Sequence, residues 1–273
     1  MTRAERQAAL EVIAGEVRVC TRCRLHETRT QAVPGEGDPS TEVVLIGEGP
    51  GMNEDRLGRP FVGRAGDLLV RLLGSIGWRR EDVFITNVVK CRPPANRDPE
   101  PDEIATCEPY LRRQLAVLDP AVVVTLGRHS MGRFMPGSRI SQAHGTMRPV
   151  DPLTGAPDAL VFAMYHPAAA LRTHAIERES YADIAQVPTA LIASRDRRAA
   201  HERESGAPAV RATPVPIVAS AEPAGTAATP SPVATVIPDA RPAEPPAPER
   251  AEPIRPAPPT ASPELATDQL TLF

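Results

Sequence analysis

Residues 43–73 read VVLIGEGPGMNEDRLGRPFVGRAGDLLVRLL. Val43 to Ile46 are a short apolar run bounded by glycine, the pattern of a strand buried on both faces. The chain then breaks at Gly47 and continues Glu48, Gly49, Pro50, Gly51, so the backbone there can approach a flat ligand with little Cβ interference. Leu68, Leu69, Leu72 and Leu73 recur at helical spacing over 65–76, with Gly77 as a stop. A strand, a glycine-rich turn and a helix with one apolar stripe form the opening unit of an α/β fold.

Upstream of this unit, Leu10, Ile13 and Val17 set an amphipathic helix over 3–19 that delivers Cys20 and Cys23 at its end. Downstream, VFITNVV (83–89) reads as a second strand, 99–118 as a helix, and AVVVTLG (121–127) as a buried strand ending in glycine. A short helix over 129–134 follows, then a fourth strand over 160–164 that runs into Tyr165, His166 and Pro167. A helix over 177–194 closes the core, and Pro188 is placed to break it. This alternation predicts a three-layer α/β/α sandwich around a mainly parallel four-stranded sheet with right-handed crossovers. Ligands of open α/β sheets bind at the carboxyl ends of the strands. Glu48, Asn87 and His166 all fall at such ends.

Composition divides the chain. From His201 onward lie 16 of the 32 prolines, with little apolar periodicity, and such a segment cannot bury enough surface to offset its ordering entropy. The expected organisation is a folded domain over 1–195 and a disordered Pro/Ala-rich tail over 196–273. The formal charge is −3, and the tail from His201 carries nine acids against five arginines, so the rest is close to neutral. A chain-wide basic field is therefore excluded, and nucleic-acid contact would rest on local clusters such as Arg56, Arg59 and Arg64, or Arg92 and Arg97. The N-terminal stretch has acids and no long apolar run, so neither a secretory signal nor a membrane span is expected, and the cytoplasm is the expected compartment.

The four cysteines, Cys20, Cys23, Cys91 and Cys107, are spaced C-x2-C and C-x15-C. In a reducing compartment this set favours a tetrathiolate metal site over disulfides, and zinc and a [4Fe–4S] cluster both suit such ligands. Taken singly, the other candidates have ordinary readings: His166 as a core histidine, Asn87 as a strand cap, Phe61 as a core anchor, Glu48 and Glu54 as acids ahead of helices.

Together they match a pattern. GEGPGMNEDRLGRPFVGRAGDLL (47–69), NVVKCRPPANRDPEPDE (87–103) and YHPAAALR (165–172), with the four cysteines interleaved, resemble the family 4 uracil-DNA glycosylases, the iron–sulfur bacterial and archaeal type. The resemblance spans about 15–190 and implies a [4Fe–4S] cluster on Cys20, Cys23, Cys91 and Cys107 that anchors DNA-facing loops without a redox step. Two departures stand out. The family reads GEAPG where this chain has Gly49, and a covalently crosslinking relative carries a basic insertion ending in histidine where Lys90 here runs straight into Cys91, so ordinary turnover is expected.

The resemblance implies excision of uracil from single- or double-stranded DNA in base excision repair by a monomer acting at the nucleoid. Asn87 would read uracil O4 and N3–H, and Phe61 would stack on the ring. His166 would donate to O2 as charge develops. Glu48, Gly49, Pro50 and Gly51 would hold the attacking water, with Glu54 orienting that water or bordering the base near C5. Leu171 would wedge into the duplex, while Arg64 and Arg172 contact DNA. A non-catalytic binding module on the same fold, disabled at Gly49, is the alternative. The last residues, Gln269, Leu270, Thr271, Leu272 and Phe273, resemble the bacterial sliding-clamp-binding peptide, which makes the clamp an expected partner.

Overall fold

A computed structural model describes residues 1–204. Helix α1 (Arg3–Arg18) is capped by Thr2, whose hydroxyl accepts from the Glu5 N–H while the Glu5 carboxylate accepts from the Thr2 N–H. Then come β1 (Glu36–Gly37), β2 (Val43–Gly47), α2 (Met52–Leu57), α3 (Arg64–Ser75), β3 (Phe84–Asn87), α4 (Pro101–Leu118) and β4 (Val122–Leu126). The remainder is α5 (Arg128–Phe134), α6 (Ile140–Ala143), β5 (Met147–Pro149), β6 (Leu160–Met164), α7 (Pro167–Ala170), α8 (His174–Ile184) and α9 (Val187–Glu204).

The sheet order is β1-β3-β2-β4-β6-β5. β3, β2, β4 and β6 are parallel neighbours, and every residue in them is buried. Alternation along the strands sends Val44, Ile46, Val123 and Val161 to a layer made with Leu10, Ile13, Val17, Leu111 and Leu115 of α1 and α4. Val43, Leu45, Val122 and Val124 face the opposite layer, made with Leu68, Leu69, Leu72 and Leu73 of α3 and with Ile184 and Val187. Each fully buried leucine there contributes on the order of 2 kcal/mol. The three-layer α/β/α architecture expected from the strand–helix alternation is thus the observed one.

Details differ. The sheet has six strands, not four, because two short antiparallel edges, β1 on β3 and β5 on β6, flank the parallel centre. The second strand ends at Asn87, since the Val88 and Val89 N–H groups turn to the Gly47 and Glu48 carbonyls. The closing helix is two helices, and Pro188 sits in the first turn of α9, where its missing N–H costs nothing. That helix runs to Glu204, past the boundary expected at 195. Among the described residues no helix is long and apolar enough to cross a membrane.

Candidate active site

The parallel register places Gly47 beside Asn87, so the loop leaving β2 and the end of β3 share one corner of the sheet. At the next strands, the Gly127 N–H donates to the Met164 carbonyl at 2.8 Å, joining the end of β4 to the chain entering Tyr165 and His166. Glu48, Gly49, Pro50, Gly51, Glu54, Phe61, Asn87, His166 and Arg172 all line one cavity of about 670 Å³ at this edge.

Two glycines make the room. A Cβ at Gly47 would stand 2.4 Å from Asn87 Oδ1 and 2.7 Å from Phe61 Cζ, and one at Gly127, whose φ is +92°, would stand 2.9 Å from His166 Cβ. Phe61 itself has φ 50°, a left-handed conformation that costs a phenylalanine on the order of 1 kcal/mol. Arg80 holds it there, donating to the carbonyls of Pro60 and Phe61 while pairing with Glu36 at 2.8 Å. The Phe61 and His166 rings stack with centroids 5.7 Å apart and 28° between planes.

His166 caps α7, its Nδ1 accepting from the Ala168 N–H at 3.1 Å, which assigns the proton of the neutral ring to Nε2. Burial pushes its pKa down to about 4 against a weaker upward pull from Glu54, so the ring is neutral and a donor near pH 7. Asn87 is 1% exposed, and its Oδ1 is buried without a hydrogen-bond partner. A buried orphan acceptor beside a stacked aromatic pair is an unfilled demand for an N–H donor.

The two glutamates differ. Glu54 Oε1 accepts from the Val62 and Gly63 N–H groups at 2.9 and 3.0 Å, and Oε2 from the Gly51 N–H at 3.1 Å, so this carboxylate braces the loops around the pocket. Glu48 is half-buried at the mouth, and desolvation raises its pKa, opposed by His129. The remaining candidates fall outside the cavity wall: Arg64 is exposed at the start of α3, and Leu171 is half-buried against the apolar layer. Arg80 and Asp98 had no distinguishing sequence signal, because their partners are remote in sequence.

Cys20, Cys23, Cys91 and Cys107 meet in a second, apolar cavity between the end of α1, α4 and the chain after β3. Burial pushes the Cys107 thiol up to about 11 and raises Cys91. Burial also opposes the Cys20 thiolate, but hydrogen bonds from Tyr110 and Arg22 outweigh it and lower its pKa. Arg29 Nη1 donates to Cys91 Sγ at 3.0 Å and the Lys90 N–H to Cys107 Sγ at 3.3 Å.

Lys90 joins the two cavities. Its ammonium, 1% exposed, donates to Thr86 Oγ1 at 2.6 Å, the Asn87 carbonyl at 2.8 Å and Gln114 Oε1 at 2.7 Å, and burial lowers its pKa to about 7.

Comparison with known proteins gives the family. Residues 34–186 match the model of the uracil DNA glycosylase superfamily. A type-4 uracil-DNA glycosylase of Saccharolobus solfataricus is 49% identical over 188 residues, covering 67% of this chain and 86% of the relative. Type-4 enzymes of Thermotoga maritima and Archaeoglobus fulgidus are 45% and 44% identical, with 63% and 66% of this chain and 88% and 92% of the relatives covered. The chain therefore belongs to the uracil-DNA glycosylase superfamily and, within it, to the type-4 group.

Proposed function

We propose that this protein hydrolyses the N-glycosidic bond between uracil and deoxyribose in DNA, leaving an abasic site for base excision repair. The observation that carries the reading is the buried, unpartnered Asn87 Oδ1 sharing one cavity with the Phe61–His166 stack. A flipped uracil entering the cavity supplies N3–H to that oxygen and O4 to the amide N–H. Cytosine presents an acceptor at N3 and leaves the same oxygen unpaired. Phe61 stacks on the base, and its constrained backbone holds the ring in place beforehand.

As the C1′–N1 bond lengthens, negative charge spreads to O2, where the Nε2–H of neutral His166 donates to it. The loop Glu48–Gly51 holds water against the opposite side of C1′. Glu54, committed to three backbone N–H groups, sets the shape of this loop, which leaves Glu48 as the carboxylate free to take the water's proton. Arg172 at the cavity rim and exposed Arg64 contact phosphates, and Leu171 fills the space vacated by the base.

Cys20, Cys23, Cys91 and Cys107 would hold a [4Fe–4S] cluster, which supplies a rigid cross-link and no redox step. Four cysteines meeting in one apolar cavity, with N–H donors directed at two of the sulfurs, support the site, and the kinship with type-4 enzymes supports the cluster over zinc. The folded unit through Glu204 acts as a monomer in the bacterial cytoplasm at the nucleoid. Gln269, Leu270, Leu272 and Phe273 lie outside the described residues, and on sequence alone their peptide is assigned to the sliding clamp.

The test is excision from a uracil oligonucleotide by the purified full-length protein, read as alkali-labile abasic sites, with iron and sulfide quantified alongside. Abasic sites should form at uracil and not at cytosine. Absence of product from iron-replete protein would overturn the reading.

A further inference from the structure

Glu48 belongs to a cluster of titratable groups at the same cavity. Glu48 Oε2 lies 3.7 Å from His129 Nε2, and that nitrogen lies 3.2 Å from Asp98 Oδ1. The three residues come from separate segments: the loop after β2, the chain before α4, and the second position of α5. Their ligating atoms nevertheless all fall within 4.8 Å of one another. Arg128 borders the group, its guanidinium bonded to Asp98 and its Nε donating to His129 Nε2 at 3.0 Å. That bond puts the lone pair of the resting imidazole on Nε2 and engages it with Arg128, with both carboxylates close by. His129 is the least exposed of the three at 19%, against 31% for Glu48 and 56% for Asp98.

We propose that His129, oriented by Asp98 and Arg128, is a positioning residue for Glu48 and the exit path for the proton of the attacking water. The inference rests on the uracil-hydrolysis reading and deepens it. Water oxygen bonds to C1′ as the C1′–N1 bond breaks, and the bonding pair leaves on N1 as the uracil anion. The water's proton goes to the Glu48 carboxylate, then to His129 Nε2 as the Arg128 Nε–H bond to that nitrogen opens, and from there through Asp98 to solvent. Glu48 is thereby ionised again for the next turnover.

The charged groups facing Glu48 are His129, Asp98 and Arg128, and they act on it with opposite signs: His129 and Arg128 favour its ionised form, Asp98 disfavours it. This gives a signature that a merely structural role lacks. Single-turnover excision from a uracil oligonucleotide is measured between about pH 4.5 and 8 for the parent, Glu48→Gln, His129→Gln and Asp98→Asn. Glu48→Gln should lose about 100-fold. His129→Gln should lose about tenfold at unchanged half-saturation, with its acid limb moved to higher pH, and adding it to Glu48→Gln should cost nothing more. Asp98→Asn should move the limb to lower pH. A parental rate and limb in His129→Gln, or shifts of both variants in one direction, would overturn the proposal. If His129→Gln fails to fold, Asp98→Asn decides alone by the direction of its limb. A parent that excises no uracil refutes the functional reading, whereas an active parent with indifferent variants refutes only this inference.

Discussion

Replacing Asn87 with alanine separates the cost the free protein bears from the benefit the substrate brings. Asn87 Oδ1 is buried and has no hydrogen-bond partner, a state that costs about 1–3 kcal/mol. Uracil N3–H removes that cost on binding, and the bond to O4 adds about 1 kcal/mol. Asn87→Ala forfeits both, about 3 kcal/mol in all, which corresponds to about 150-fold in kcat/KM. The unliganded protein meanwhile loses an unsatisfied oxygen and gains a small cavity, two changes of opposite sign and similar size. Its unfolding free energy should therefore move by less than about 1 kcal/mol. Excision kinetics on a uracil oligonucleotide and urea unfolding of the same preparations measure both quantities. A loss under about threefold, or a destabilisation above about 2 kcal/mol, would refute the reasoning, the second by showing that the amide is a structural member.

His166→Ala should lower the single-turnover rate about 100-fold with little change in half-saturation, because the lost donor acts on charge that develops in the transition state. Burial sets the folded pKa of His166 at about 4, below its ordinary 6.5, so its contribution to stability is whole above pH 6.5 and is lost as pH falls towards 4. Melting temperature measured across that interval should fall more steeply for the parent than for His166→Ala. Gly49→Ala restores the family's residue but places a Cβ 2.8 Å from Val89 Cγ2, a fully buried methyl, and should destabilise by about 1 kcal/mol as read by urea unfolding. Deleting 269–273 should abolish clamp pull-down and leave excision from short oligonucleotides unchanged.

The apolar runs at 43–46, 121–127 and 160–164 were legible because parallel strands buried on both faces have no polar alternation to disguise them. The edges β1 and β5, two and three residues long, carry too few positions for any period to register. Glu48, Phe61, Asn87 and His166 could be singled out by their places in motifs, and the fold brings them to one cavity. What holds them could not be read the same way. The Arg80 bond to the Phe61 carbonyl, the binding of Glu54 to Val62 and Gly63, and the approach of Asp98 to His129 exist only after the loops have folded over one another. A motif marks which chemistry is present; the bonds that set its angles are tertiary.

The ammonium of Lys90 is a rivet driven through the molecule from the sulfur side to the base side. Stripped of water, it depends on three protein oxygens for its stability, one of them the main-chain carbonyl of Asn87, while its own amide leans on a cysteine sulfur. One residue therefore ties the cysteine pocket, through its amide, to the end of β3, through its side chain, so the two regions share a single brace.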